Sequence, residues 1–91
     1  MAEQPRVAIY ALCEYGDNSS LILARSVCQQ NGWLKRLEYM DTSKAGRYAW
    51  KDLLADIAIG DFIQVLVTYF TSPELEQYCA QYNCTLIQAK V

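Results

Sequence analysis

Few side chains in this 91-residue chain could carry out chemistry. Histidine is absent, which removes the side chain that most often serves as a general base or metal ligand near neutral pH. Zinc sites draw on histidine or on cysteines two to four residues apart, whereas Cys79 and Cys84 stand alone at a wider step, so no metal site is expected. Cys13 is the thiol best placed for nucleophilic work. It closes an apolar run just ahead of helix-start signals, where free N–H groups and the helix dipole lower a thiol pKa and attract anions. The preferred reading of Cys13 is nevertheless structural, a small apolar side chain ending a central strand, because free cysteine is among the most buried residue types. Ser19 and Ser20, in the same segment, read as caps of the following helix rather than nucleophiles. Asp41 and Arg47 are close enough in sequence to pair, which fits a surface contact as well as a functional one.

The elements that must position these groups are legible in the hydrophobic pattern. Val7 to Leu12 is a continuous apolar run, expected of a strand covered on both faces. Leu21, Ala24 and Cys28, flanked by Leu23 and Val27, recur at helical spacing behind Asn18 and Ser19, and that helix ends near Asn31 and Gly32. From Leu34 to Met40, Leu37 and Tyr39 alternate with Arg36 and Glu38, the signature of a half-exposed edge strand. Trp50, Leu53, Leu54 and Ile57 form one apolar helical stripe closed by Gly60. Phe62 to Phe70 is strongly strand-forming. Ser72, Pro73 and Glu74 then supply a cap, a proline at the first helical position and an acidic first turn. Leu75, Tyr78, Cys79 and Tyr82 mark the buried face of that third helix, and Thr85 to Ile87 makes a last short strand.

Strands alternating with helical crossovers predict a three-layer α/β fold: a four-stranded, mainly parallel sheet in the order 2-1-3-4, with helices on both faces. Residues 1–91 are expected to form a single domain. In such sheets the ligand crevice lies beyond the carboxyl ends of the strands where the order reverses, here Cys13 to Ser20 and Thr68 to Ser72. Tyr15, Tyr48 and Tyr69 are the tyrosines expected to be exposed near it.

Composition narrows the function classes. A hydrophobic fraction of 53% with 20% charged residues is globular rather than disordered. Eight basic against ten acidic residues give a net charge of −2 and a pI near 4.9, where a stand-alone DNA binder shows a basic excess. DNA binding by this chain alone is therefore expected to be weak or absent. With no apolar stretch of membrane-spanning length and no export signal, the expectation is a cytoplasmic protein with reduced thiols and no membrane association.

Two blocks carry a resemblance. The catalytic domain of serine recombinases (resolvases and invertases) opens with a strand ending Tyr-x-Arg-x-Ser, and VAIYALCE from Val7 to Glu14 is similar, with Tyr10 at the tyrosine. Leu12 stands at the arginine and Glu14 at the nucleophilic serine. The family then has an Asp, a Ser-Gly-like turn and Arg-x-x-Leu-x-x-Leu-Leu, which DTSKAGRYAWKDLLADI from Asp41 to Ile57 resembles through Asp41, Gly46, Arg47, Leu53 and Leu54. The strand VLV, Val65 to Val67, resembles the one leading into Lys-Leu-Asp-Arg-Leu-x-Arg, but here TYFTSPEL follows. The likeness covers nearly all of residues 6 to 88 and implies a resolvase-like fold.

In the family a serine oxygen attacks a DNA phosphodiester while clustered arginines stabilise the charge that develops. A chain with leucine and glutamate at those positions is expected to be a catalytically inactive relative. Its expected role is binding or regulation linked to DNA recombination or a mobile element, without a cofactor and through a protein partner or a second copy of itself. The alternative is a cysteine-dependent phosphotransfer domain: CEYGDNSSL also resembles the phosphocysteine loop of sugar-phosphotransferase B domains, with Cys13 as nucleophile. Glu14 and Asp17 count against a phosphate in that loop.

Overall fold

The computed structural model describes residues 5–43 and 46–89. Four strands, β1 (Val7–Leu12), β2 (Arg36–Asp41), β3 (Val65–Thr68) and β4 (Thr85–Gln88), alternate with three helices, α1 (Ser19–Gln30), α2 (Tyr48–Ile57) and α3 (Pro73–Gln81). All three ladders are parallel, in the order β2-β1-β3-β4. The predicted sheet is thus observed, parallel throughout.

The side chains of β1 divide between two cores, as the period-2 geometry of a strand requires. Val7, Ile9 and Ala11 pack with Leu21, Ala24 and Cys28 of α1 and with Val65 and Val67 of β3. Ala8 and Tyr10 pack on the other face with Leu53 and Ile57 of α2 and Leu75 and Cys79 of α3. A single helix on one face and a pair on the other explains why β1 is apolar along its length. Leu53 and Ile57 are fully buried, each contributing roughly 2 kcal/mol of hydrophobic stabilisation.

Helix ends follow local signals in three of four cases, the α1 end at Asn31 and Gly32 among them. The Ser72 hydroxyl accepts the Leu75 N–H at 3.2 Å, with Pro73 at the first helical position, as read from the sequence. Gly60, at φ 82°, follows α2 in the left-handed region that favours glycine. At α1 the expected serine caps are replaced. Ser19 donates both its N–H (3.0 Å) and its hydroxyl (2.7 Å) to Asp17, and the Ser20 hydroxyl donates to the Leu12 carbonyl at 3.3 Å. Asp17 has the fuller acceptor and takes over the capping.

Strand lengths also differ from expectation. β2 begins at Arg36 rather than Leu34, and β3 spans Val65 to Thr68 rather than Phe62 to Phe70. Strand-forming residue types extend beyond the ladder because Ile63 and Phe70 pack in the α2–α3 core from flanking loops. No helix among the described residues is long and apolar enough to cross a membrane.

Candidate functional site

The carboxyl ends of β1, β2 and β3 gather the residues singled out above. Tyr10 points from β1 toward α2, and the parallel register sets Leu12 beside Asp41. The chain leaves β2 at Asp41 and returns as α2, so the helix N-terminus lies over the strand end. Asp41 accepts the Ala49 N–H at 2.9 Å, the Trp50 N–H at 3.1 Å and the Tyr10 hydroxyl at 2.7 Å. It thereby caps α2 from a neighbouring element, while Arg47, at the N-cap position, makes no side-chain cap.

Arg47 instead closes the group from above. Its Nε donates to the Tyr10 hydroxyl at 3.3 Å, and its guanidinium carbon stands 4.7 Å from the Trp50 ring centre, 5.5 Å from Tyr10 and 5.9 Å from Phe70. These rings meet edge-on or tilted, with Tyr10 and Trp50 centres 4.8 Å apart and Trp50 and Phe70 5.5 Å apart. Such a cage holds a guanidinium by cation–π attraction. Burial raises the Tyr10 pKa to about 12, with Arg47 opposing and Asp41 reinforcing. Burial also pushes the Asp41 carboxyl upward, but hydrogen bonds from Tyr10, Ala49 and Trp50, with the Arg47 charge, outweigh it and hold the carboxyl below its ordinary range. The result is a neutral phenol between a carboxylate and a guanidinium, in which the Tyr10 hydroxyl and the Asp41 carboxylate are satisfied within the fold and Arg47 is engaged through its Nε and the aromatic rings.

Cys13 and Glu14 belong to the other side of the sheet end. Cys13 is buried in the α1-side core, its N–H donating to the Asp41 carbonyl at 2.7 Å. Burial pushes its thiol pKa up, the Asp17 charge adds to this, and Arg25 opposes. That is the reverse of what an activated cysteine needs. Glu14 to Gly16 form a single tight turn in which Tyr15, at φ 55°, adopts a left-handed conformation. The Asp17 carboxylate lies at the α1 N-terminus, where a phosphate would bind, and its hydrogen bonds from the Ser19 hydroxyl and N–H lower its pKa.

Beside this turn runs an open groove of about 690 Å³, whose walls include Leu12, Glu14, Asp17, Ile22, Leu23 and Tyr69. It coincides in part with the crevice predicted at the strand-order reversal. Thr68 was expected there but is fully buried on β3. Tyr15, Tyr48 and Tyr69 are exposed as expected.

Tyr10, Asp41 and Arg47 therefore come together, with Leu12 adjoining them, whereas Cys13 and Glu14 do not join them. Sequence reasoning missed Trp50 and Phe70 as walls of the arginine cage, having read Trp50 only as part of a buried stripe. It also missed the anion-like role of Asp17. The pairing Ser19 and Asp17, two residues apart, was the signal available for the second. No group of three or more cysteine, aspartate or glutamate side chains among the described residues is arranged to hold a metal ion. Comparison with known protein families, curated proteins and solved structures finds no match for this chain.

Proposed function

We propose that this chain is a catalytically inactive relative of the serine-recombinase catalytic domain, acting in the cytoplasm by binding another protein in DNA recombination or in a mobile element. The observation that carries the reading is the structural network at the three positions that resemble the family. The Tyr10 hydroxyl and the Asp41 carboxylate are satisfied within it, and Asp41 holds the α2 N-terminus onto β2, so these two groups serve the fold directly, with Arg47 joined through its Nε and the aromatic rings. At the two altered positions, Leu12 packs against the α2-side core and Glu14 lines the groove. A carboxylate there repels a DNA phosphate, and leucine supplies no charge to stabilise a phosphoryl transition state.

A protein partner accounts better for the surface at this end of the sheet. Tyr15, Tyr48 and Ile22 are 101%, 73% and 62% exposed, and Tyr69 is 37% exposed. Tyr69 in the wall of a groove that mixes Leu12, Ile22 and Leu23 with Glu14 and Asp17 suits protein contact, in which aromatic anchors supply most of the binding energy. The phosphotransfer alternative draws no support from a buried Cys13 with a raised pKa or from a helix N-terminus already filled by Asp17.

The test uses the intact protein as bait in lysate of its source cell, with and without nuclease. Recovery of a recombinase or another mobile-element protein that persists after nuclease treatment supports the reading. Exclusively DNA-dependent recovery, or a covalent protein–DNA adduct on supercoiled DNA, overturns it.

A further inference from the structure

At the opposite end of the sheet, the amino ends of β1 and β2 form a second cavity of about 430 Å³, lined by Pro5, Arg6, Val7, Lys35, Arg36, Leu37 and Phe62. Three of the chain's eight basic residues are there, and no carboxylate lines it among the described residues, although the whole chain carries a charge of −2. We propose that this cavity binds a small ligand made of a flat aromatic ring bearing an anionic group.

The strand register explains why the charges meet. Val7 pairs with Arg36 at the first rung of the β1–β2 ladder, so Arg6 and Lys35 are the residues one step outside it on neighbouring strands. Neighbouring strands lie about 4.8 Å apart. An anion entering between two strand-end cations is attracted by both.

The three basic residues have different duties. Arg36 is engaged: it donates to the Trp33 and Leu34 carbonyls at 3.3 Å and pairs with Glu38 at 3.4 Å, which fixes the wall of the cavity. Arg6 and Lys35 are exposed, and no hydrogen bond or ion pair engages their side-chain nitrogens among the described residues.

The Arg6 backbone is held rigidly. Its N–H donates to the Gln64 side chain at 2.8 Å, and its carbonyl accepts the Gln64 and Val65 N–H groups at 2.9 and 3.2 Å. The guanidinium carbon of Arg6 stands 5.7 Å from the Phe62 ring centre. A flat ring entering beside Phe62 and Leu37 finds an apolar wall, and its anionic group meets Arg6 and Lys35. The volume suits a ligand of that size.

The probe is anilinonaphthalene sulfonate, an aromatic anion whose fluorescence rises on binding, compared with its uncharged counterpart phenylnaphthylamine. Saturable binding of one sulfonate per chain is expected, with the neutral compound weaker by about tenfold, a difference worth about 1.4 kcal/mol. Arg6→Gln and Lys35→Gln should each weaken the sulfonate roughly fivefold, with thermal unfolding unchanged to show that both variants fold. Equal affinity for charged and neutral probes, or indifference to both substitutions, overturns the proposal. Competition then separates two sources of the same chemistry. Displacement by adenosine monophosphate identifies a nucleotide, displacement by naphthoate identifies an aromatic carboxylate, and displacement by neither overturns the assigned ligand class.

Discussion

Replacing Asp41 by alanine should unfold this protein more readily than its polar character suggests. The substitution removes the acceptor of three hydrogen bonds, from the Tyr10 hydroxyl at 2.7 Å and the Ala49 and Trp50 N–H groups at 2.9 and 3.1 Å. Loss of a helix cap costs about 1 kcal/mol. Leaving the fully buried Tyr10 hydroxyl with Arg47 as its remaining partner costs about 1–2 kcal/mol more. The sum, about 2–3 kcal/mol, is a large share of the ~5–15 kcal/mol that holds a domain folded. Urea titration followed by circular dichroism should show the midpoint falling with the slope unchanged. Asp41→Asn retains the shape and one acceptor oxygen, so about half that loss is expected.

The same residue sets a pH dependence. Because the folded carboxyl titrates below its ordinary value of 3.8, the unfolded chain takes up the proton first as pH falls. The stabilisation is complete above the ordinary value and is lost as pH falls through the folded pKa. The asparagine variant should therefore show a shallower loss of stability in acid. A loss below about 1 kcal/mol for Asp41→Ala, or an unchanged acid limb for Asp41→Asn, would refute the capping argument.

The tyrosines should report burial at high pH. Burial raises Tyr10 to about 12, and it raises Tyr39 with help from Asp56, so ultraviolet titration should find these two phenols ionising late. The stability tied to Tyr10 is complete below its unfolded value of 10.0 and is lost as pH rises through about 12, so Tyr10→Phe should flatten the alkaline decline. Iodoacetamide at neutral pH should leave the folded protein unmodified, since all four cysteines are buried and reduced, and should label them all in denaturant. A single rapid adduct at Cys13, read by mass spectrometry, would restore the phosphotransfer reading.

What the sequence by itself determined is local or periodic. The apolar run of β1, the stripe of Leu53 and Ile57 on α2, and the cap formed by Ser72 with Pro73 all act within one or two turns, where residue type and spacing are enough to set the outcome. The alternation of strands and helices then leaves few topologies open, because parallel crossovers turn right-handed, and 2-1-3-4, the simplest of them, is the order observed. Tyr10, Asp41 and Arg47 are identifiable one by one in the sequence. Their arrangement was not legible, because the Asp41 carboxylate meets amides eight and nine residues later and a phenol 31 residues earlier. Those contacts exist because β2 pairs in register with β1 and α2 folds back across its end. The same holds for the Phe70 wall of the arginine cage and for Arg6 beside Lys35. Packing and register, which depend on the whole chain at once, decided which of the chemically capable side chains are satisfied within the fold and which still face solvent.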